Sequence, residues 1–463
     1  MNKSLKKNII AAFSAQGVSL ILSILMSLFV PKILGIVEFG YWQLFIFYVG
    51  YAGFFHLGYI DGLYMKLGGK EYQDLDFDSL GLQFRIFIFI EILISLILFG
   101  ILTFFSTDIN RFTIFIVFIM YMIISNSSLF IGYIFQAVNL TSFYSISIII
   151  DRICVLVFII LLILLNIESF VPYIFLYTVS KLFSLVYCLL KAKELIFSRS
   201  NKLFQILLEM KDVLFIGIKL MLANIASILI LGVGRMFIDS HWGIEAFGKV
   251  SLALSLTNFF LLFIQQISMV LFPTLRRVGS EKYTSIYINL RDILGLLLPL
   301  IFVFYSPIYF LLSEWLPEYS ESLKYMILLL PICTFDGKMQ MLFNTYYKVV
   351  RKEVALLSVN LISLFLSILL VVVSITIFDS FLLVILSMLF SIMTRSIISD
   401  LYFANLFNLK VYKQLFSELL IVFAFIVLTW NFPLSISFIG TSFIYLIFLF
   451  LNRDIIKQKF QKK

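Results

Sequence analysis

Apolar blocks of about 20 residues recur along almost the whole chain, and they decide what it can fold into. A helix that rises about 1.5 Å per residue needs about 20 apolar residues to cross a hydrocarbon core about 30 Å thick. Only helices and closed barrels satisfy their backbone groups in lipid, and these blocks lack the alternating pattern of barrel strands. The composition, 62% hydrophobic and 13% charged, excludes a soluble domain. The sequence therefore predicts an all-α polytopic membrane protein.

About fourteen transmembrane helices are predicted. They lie near residues 9–30, 39–60, 84–105, 112–136, 142–165, 170–190, 213–238, 246–272, 290–312, 323–346, 354–378, 381–406, 415–432 and 434–452. The first has a basic start like that of a signal peptide. Its apolar run is too long for one and no cleavage site closes it, so we expect it to be retained.

The distribution of positive charge predicts the orientation. With the N-terminus inside, twenty-five lysines and arginines, Arg291 among them, fall in inner segments, and only Lys32 and Arg111 fall in outer loops. Cytoplasmic loops carry the excess of basic residues, so both termini are predicted to be cytoplasmic. The net charge of +9 is then explained by contact with anionic lipid headgroups, without nucleic acid.

One phrase occurs twice. Residues 34–44 read LGIVEFGYWQL and residues 242–252 read WGIEAFGKVSL, so that Gly35, Phe39 and Gly40 match Gly243, Phe247 and Gly248 at a constant offset of 208. Six predicted helices lie in each period, an even number, so both copies enter the membrane in the same direction.

The repeat predicts two parallel six-helix halves around a central cavity, followed by two extra helices. The predicted divisions are an N-terminal half (residues 1–190), a cytoplasmic linker (191–212), a C-terminal half (213–406), and the extra helices with a basic cytoplasmic tail (407–463).

Nine of the charged residues inside predicted spans are candidates for the protein interior. Six are basic and three acidic, and they are Glu91, Asp151, Arg152, Lys181, Lys219, Arg235, Asp336, Lys338 and Arg395. At about 3 kcal/mol each, they would cost on the order of 25 kcal/mol facing lipid. They are therefore expected to face one another or water in a net positive interior, although Lys219 and Arg235 lie near helix ends and could instead extend to the interface.

Neutral polar residues share helix faces with some of these charges. Asn224 and Arg235 are eleven residues apart, three turns of one helix, and Gln340 follows Asp336 by four. Asn258 lies on a serine-containing stripe of the eighth predicted helix. These stripes indicate either a wet lining or polar helix packing.

Other chemistry is sparse. There is no phosphate-binding P-loop, the two histidines are isolated, and the three cysteines lie in apolar helices, so no ATPase, metal or disulfide site is predicted. No loop exceeds roughly 25 residues, which leaves no room for a catalytic domain. The sequence therefore favours a protein that is not an enzyme.

The N-terminal segment, NIIAAFSAQGVSLILSILMSLFVPKILGIVEFGYWQLFIFYVGYAGFFHLGYIDGL, resembles polysaccharide-biosynthesis flippases of the Wzx type. That family belongs to the multidrug, oligosaccharidyl-lipid and polysaccharide (MOP) exporter superfamily. The likeness extends over nearly the whole chain in helix number and paired halves. Related flippases of the peptidoglycan precursor carry arginines on their first two helices, where this chain has Gln16, Ser27 and His56.

The resemblance implies transport of an undecaprenyl-diphosphate-linked oligosaccharide from the cytoplasmic to the outer leaflet of the bacterial inner membrane. It implies alternating access driven by a proton or sodium gradient, with no other cofactor. The product would be a capsule, an O-antigen or another surface polymer, and membrane lipids and the polymerase and chain-length machinery would be partners.

Charge and polarity select the candidate site residues. For the diphosphate and sugars they are Arg152, Lys181, Arg235, Lys338, Arg395, Asn224, Asn258 and Gln340. For ion coupling they are Glu91, Asp151 and Asp336, although Asp151 and Asp336 could equally serve as structural counter-charges. The alternatives are a cation-coupled multidrug exporter of the same superfamily and, less favoured, a membrane glycan polymerase or glycosyltransferase.

Overall fold

The computed structural model describes residues 17–105, 108–198, 202–277 and 280–453, and this part of the chain is helical, without a strand. The helices are α1 (Gly17–Leu28), α2 (Val30–Val49), α3 (Tyr59–Leu67), α4 (Phe77–Phe105), α5 (Ile109–Ala137), α6 (Thr141–Leu164), α7 (Phe170–Lys191), α8 (Lys193–Phe197), α9 (Leu203–Arg277), α10 (Tyr283–Leu297), α11 (Ile301–Trp315), α12 (Ser320–Leu329), α13 (Ile332–Lys338), α14 (Asn344–Val349), α15 (Glu353–Thr376), α16 (Phe381–Leu406), α17 (Tyr412–Asn431) and α18 (Leu434–Leu451). The predicted all-α fold is confirmed.

The number of membrane spans differs from the prediction. Within the described residues eleven helices are long and apolar enough to cross a bilayer, or twelve if one bent pair counts as a single span. Part of the predicted first span, residues 9–16, lies outside the described residues, and α1 alone is short. The predicted seventh and eighth spans lie on the two sides of Gly243, a non-helical residue at which two helices meet within the range called α9. The predicted number of about fourteen is therefore not confirmed.

The chain divides into two compact units, Met1–Ile225 and Ala226–Lys463, called here the N-terminal and the C-terminal unit. In the N-terminal unit α6 packs along α7, and α5 contacts both of them as well as α2, α3 and α4. In the C-terminal unit α15 packs along α16, α13 contacts α16, and α17 packs along α18. The predicted limits of the halves and linker stay a prediction.

Small residues bring α3 and the start of α9 into backbone contact. Gly58 and Gly62, four residues apart, lie against Gly217. A Cβ on Gly62 would lie 1.9 Å from the carbonyl oxygen of Val213, and one on Gly217 would lie 1.9 Å from that of Gly58. Close approach through glycine is how membrane helices gain packing contacts without a hydrophobic driving force.

The repeated phrase forms the same backbone break in both units. Gly35 has φ 68° and ψ 177°, and Gly243 has φ 83° and ψ −176°, values outside the helical region. A Cβ on either glycine would meet nothing within 4 Å, so glycine is needed here for its conformation and not for space. The matching Phe39 and Phe247 are both fully buried. The phrase is therefore a structural element that bends the chain once in each unit.

Equivalent residues that follow Gly35 and Gly243 each contact the first turn of a later helix. Tyr41 donates its hydroxyl hydrogen to Asp108 Oδ2 at 3.2 Å, and Asp108 caps the N-terminus of α5. Lys249 occupies the position equivalent to Tyr41 in the second copy of the repeat. Its Nζ atom lies 2.8 Å from Oε2 of Glu321 in the first turn of α12. Carboxylates are stabilised at helix N-termini, so each anchor combines a side-chain contact with the helix dipole.

Residues close to Gly35 and Gly243 also contact the N-terminal end of a second helix in each unit. The carboxylate of Glu38 accepts a hydrogen bond from the backbone N–H of Phe170, the first residue of α7, at 2.8 Å. In the C-terminal unit His241 Nε2 lies 2.8 Å from Asp379 Oδ1, two residues before α16. The two units thus use different side chains for the same structural purpose.

The tenth predicted span is interrupted. Pro317–Leu329 and Ile332–Val349 meet at 49°, and Met339–Phe343 within the second part forms a π-helical turn between α13 and α14. A π-turn inserts one extra residue into the helix and often marks a functional position. Asp336 and Gln340, predicted to share a helix face, are joined by a hydrogen bond at the start of this turn.

Candidate functional site

The N-terminal unit holds a small group of charges between α6 and α7. Lys181 Nζ lies 3.5 Å from Asp151 Oδ2, and both side chains are largely buried. Arg152, the next residue of α6, interacts with the hydroxyl of Tyr177 on α7. Its Nε atom is buried without a hydrogen-bond partner, and none of the ion pairs among the described residues includes it. The group therefore carries two basic side chains and one acidic side chain.

Serines allow the helices around these charges to pack closely. Ser128 of α5 and Ser184 of α7 face each other at 3.3 Å, and Ser180 donates to the carbonyl of Leu176 one turn earlier on α7. All three side chains are buried. Because a serine can return its hydroxyl to its own helix, such positions admit close packing while remaining polar.

The C-terminal unit pairs its predicted diphosphate ligands with carboxylates. Arg395 Nη1 lies 3.4 Å from Asp336 Oδ1, and Gln340 donates to Asp336 Oδ2 at 2.5 Å. Lys338 forms an ion pair with Glu418 of α17. Asp336, Lys338, Arg395 and Glu418 are all buried, so each base has a fixed acidic neighbour.

A further buried ion pair lies next to these residues and was missing from the sequence-based set. Arg291 Nε and Nη2 donate to Asp400 Oδ1 and Oδ2 at 2.7 Å and 2.8 Å, and Arg291 also donates to Gln414. This two-point contact is the geometry that arginine and carboxylate favour. Arg291 adds one base and Asp400 and Glu418 add two acids to the six bases and three acids named from the sequence, so the expected excess of bases becomes smaller.

The remaining predicted polar residues lie on α9. Arg235 donates to Ser251 Oγ at 2.9 Å, and its guanidinium lies 4.9 Å from the ring centre of Phe247, beside the glycine break. Asn224 and Asn258 are exposed. An exposed amide on a membrane-long helix is costly against lipid, which favours a polar environment for both.

Glu91 on α4 has a neutral amide as its hydrogen-bond partner. Its Oε1 atom accepts a hydrogen bond from Asn126 Nδ2 of α5 at 3.0 Å, and the same nitrogen donates to the carbonyl of Ala52 at 3.0 Å. Glu91 is fully buried and Oε2 has no hydrogen-bond partner. The structure thus separates Glu91 from Asp151 and Asp336, which both contact a base.

Glu91 also lines a cavity of about 350 Å³ in the N-terminal unit. Residues 55–59, α4 and the first turns of α9 form its walls, which are mainly Phe, Ile, Leu and Met side chains. His56 and Lys211 are the charged or ionisable residues that share it with Glu91 and Tyr59. The cavity thus joins one buried carboxyl to an otherwise apolar space.

The sequence matches a family model described as polysaccharide biosynthesis protein over residues 5–279, more than half of the chain. The chain belongs to this family. No curated protein matches it.

Solved structures of MOP transporters share the fold. The lipid II flippase MurJ in an inward closed conformation matches with a TM-score of 0.66 and 14% identity, over 97% of this chain and 99% of that protein. An inward-facing multidrug resistance MATE transporter matches with a TM-score of 0.58 and 12% identity, over 88% and 98%. The Vibrio cholerae MATE transporter VcmN matches with a TM-score of 0.57 and 15% identity, over 88% and 97%.

The family match confirms the predicted polysaccharide-biosynthesis family, and the solved structures show that the chain has the fold of a lipid II flippase and of multidrug transporters. The described part of the chain carries at least eleven helices that are long and apolar enough to cross a membrane, so the protein is a multi-pass membrane protein of this family. At these identities the solved structures establish the fold alone, so the roles of the candidate site residues stay predictions.

Proposed function

We propose that this transporter moves an undecaprenyl-diphosphate-linked oligosaccharide from the inner to the outer leaflet of the bacterial cytoplasmic membrane. The translocated glycan would supply a capsule, an O-antigen or a related surface polymer, with the polymerase and chain-length machinery acting next. The family match to polysaccharide biosynthesis proteins supports the glycan. The likeness to MurJ, a lipid II flippase, supports a lipid-linked substrate.

The proposal rests on the contacts of Arg152. A diphosphate is anionic, and it needs cationic donors that are not already neutralised by a carboxylate. Arg152 forms none of the ion pairs found among the described residues and has a buried Nε–H without a partner. Its guanidinium is always charged and presents several donors in a planar array, which suits a phosphate group.

Lys181 and Asp151 lie on either side of this position. Their contact is long, at 3.5 Å, and Lys181 keeps part of its side chain exposed. A phosphate group that binds Arg152 could therefore draw Lys181 toward itself and away from Asp151. Lys338 and Arg395 have closer carboxylate partners and take a secondary role in the proposal.

The glycan would contact neutral polar groups. Asn224 and Asn258 are exposed on α9, and Gln340 is partly exposed beside Asp336. Amide groups both donate and accept hydrogen bonds, which matches the hydroxyl groups of a sugar. Arg235 already donates a hydrogen bond to Ser251 and lies against the ring of Phe247, so it is the least suited of the predicted ligands.

A proton or sodium gradient would drive the movement. Glu91, Asp151 and Asp336 are the buried carboxyl groups from which coupling was predicted. A charge buried in a membrane protein is costly unless it is paired, so binding and release of a cation can favour one conformation over another.

The test uses a strain depleted of the protein and complemented with variants. Lipid-linked glycans are identified by mass spectrometry, and their leaflet is assigned with a membrane-impermeant reagent. We expect depletion to leave a diphosphate-linked oligosaccharide on the inner leaflet. Arg152→Ala should lower flipping about tenfold or more, because a hydrogen bond to a charged group contributes about 1.5–3 kcal/mol.

Two control variants make the result specific. Arg152→Lys keeps the charge but loses the planar donors and should retain part of the activity. Lys410→Ala removes an exposed cation between α16 and α17 and should leave flipping unchanged. If depletion instead makes cells sensitive to organic cations without lipid accumulation, the protein is a multidrug exporter and the proposal is wrong.

A further inference from the structure

Glu91 differs from the other buried carboxyl groups named above because it forms no ion pair with a base of the described residues. Asp151 contacts Lys181, Asp336 contacts Arg395, and Asp400 contacts Arg291. None of the ion pairs among the described residues includes Glu91, although its side chain is fully buried. An ionised carboxylate in this position would be a buried charge with one neutral hydrogen bond, which is far more costly than the protonated acid.

The contacts of Asn126 define which oxygen would carry the proton. Asn126 Nδ2 lies 3.0 Å from Glu91 Oε1 and 3.0 Å from the carbonyl oxygen of Ala52, so two acceptors fix the orientation of the amide. Oε1 therefore acts as the acceptor in this contact. Oε2, which is buried and unpartnered, is the atom left to hold the hydrogen.

The ionisable groups around Glu91 do not supply a counter-charge. His56, from the segment before α3, accepts a hydrogen bond at Nδ1 from the backbone N–H of Gly58 at 3.1 Å. A ring nitrogen that accepts is unprotonated, so this imidazole is neutral. Tyr59 donates its hydroxyl to Gln83 at 2.6 Å. Lys211 of α9 lines the same cavity but forms no ion pair with Glu91.

The cavity gives Glu91 a route to the outside. Glu91 is fully buried, whereas Leu57, Leu207 and Phe215, which line the same cavity, are exposed. Lys211 is also exposed and lies in the third turn of α9. The space of about 350 Å³ therefore extends from the buried carboxyl to the surface of the N-terminal unit.

From these contacts we infer that Glu91 is a proton-binding site and that its proton exchanges through this cavity. The step is one proton transfer: the O–H bond at Oε2 breaks, the carboxylate keeps the electron pair, and water takes the proton. That this proton drives transport rests on the proposed function; the binding of the proton does not.

Infrared difference spectroscopy of the full chain in lipid nanodiscs tests the site without any glycan. A protonated carboxyl gives a C=O stretching band that a carboxylate lacks. We expect the wild type at neutral pH to show such a band, which disappears on raising the pH. Glu91→Gln should lack it, Glu91→Asp should shift it, and Glu71→Gln, on an exposed loop residue, should keep it unchanged.

The alternative that Glu91 binds Na⁺ is tested by comparing the band in sodium and in potassium salts. The band should be the same in sodium and in potassium chloride. If sodium alone removes the band in the wild type, the site binds Na⁺ in place of a proton and the inference is wrong. It is equally wrong if the wild type and Glu91→Gln give the same carboxyl bands at every pH.

The cavity is tested by hydrogen–deuterium exchange of the same band. Met210→Trp fills the cavity wall and should slow the exchange severalfold, whereas Met120→Trp, at an exposed position of α5, should not. Equal exchange rates in both variants would exclude the cavity as the route. If the Glu91 band responds to pH but the protein does not flip the lipid-linked glycan, the proposed function is wrong. If the protein flips the glycan but the Glu91 band is absent, this inference is wrong.

Discussion

The two units share a backbone break but treat buried charge differently. Gly35 and Gly243 have nearly the same conformation of positive φ and extended ψ, followed by buried Phe39 and Phe247. In the C-terminal unit three buried bases each form an ion pair with a carboxylate, whereas in the N-terminal unit Glu91 and Arg152 belong to none of the ion pairs found among the described residues. The repeat has therefore kept the architecture, and the chemistry of the two units has diverged.

The largest expected effect comes from the paired charges of the C-terminal unit. Arg291→Ala leaves Asp400 buried and ionised, and breaking such a pair costs about 3–5 kcal/mol. We expect a strong loss of folded protein and a large drop in melting temperature, measured by size-exclusion chromatography after heating in detergent. Lys181→Ala in the N-terminal unit should cost less, because its contact with Asp151 is longer and partly exposed.

A double variant separates charge from packing. Arg291→Met with Asp400→Leu removes both charges and replaces them with apolar volume, so it should regain most of the lost stability. If the double variant is as unstable as Arg291→Ala, then the hydrogen bonds to Gln414 and Tyr287 matter more than the buried charge itself.

An intermediate effect is expected at the two glycine breaks. Gly35→Ala and Gly243→Ala place a Cβ in open space but force alanine into a conformation of positive φ and extended ψ that essentially only glycine adopts, which costs about 1–3 kcal/mol. The two variants should therefore lower the melting temperature by similar amounts. Gly100→Ala, in a helix and also with open space around the Cβ, should be neutral or slightly stabilising. Unequal losses at Gly35 and Gly243 would show that the breaks are not equivalent.

Much of the fold follows from hydropathy because the bilayer fixes the length and polarity of each span. Boundaries such as Phe381–Leu406 and Thr141–Leu164 agree with the predicted 381–406 and 142–165 almost residue for residue. The division of α9 at Gly243 agrees with the predicted gap between residues 238 and 246, because the polar residues around this glycine interrupt the apolar run. The π-turn at Met339–Phe343 was missed, because no side-chain pattern specifies one inserted residue.

The candidate site could be predicted only in part. Charges inside apolar segments, such as Glu91 and Arg152, are visible in the sequence because lipid penalises them wherever they point. Their partners are not visible, since pairing depends on how helices far apart in sequence rotate against each other. Arg291 lies near the start of its span and has the appearance of a loop cation, yet the structure turns it toward Asp400 109 residues away. That Glu91 forms no ion pair among the described residues is likewise a property of packing.

The smallest expected effect distinguishes the two anchors after the breaks. Tyr41→Phe removes a hydrogen bond to Asp108, and Lys249→Gln removes ion pairs to Glu245 and Glu321, whose carboxylates are largely exposed. Each substitution should lower the free energy of unfolding by about 1 kcal/mol or less.

Salt distinguishes the two variants, because ions screen an exposed charge pair but barely affect a neutral donor. We expect the loss in Lys249→Gln to shrink in 1 M salt and that in Tyr41→Phe to persist, both measured as melting temperatures. A salt-independent loss in Lys249→Gln would mean that Lys249, like Tyr41, holds its helix by geometry and not by charge.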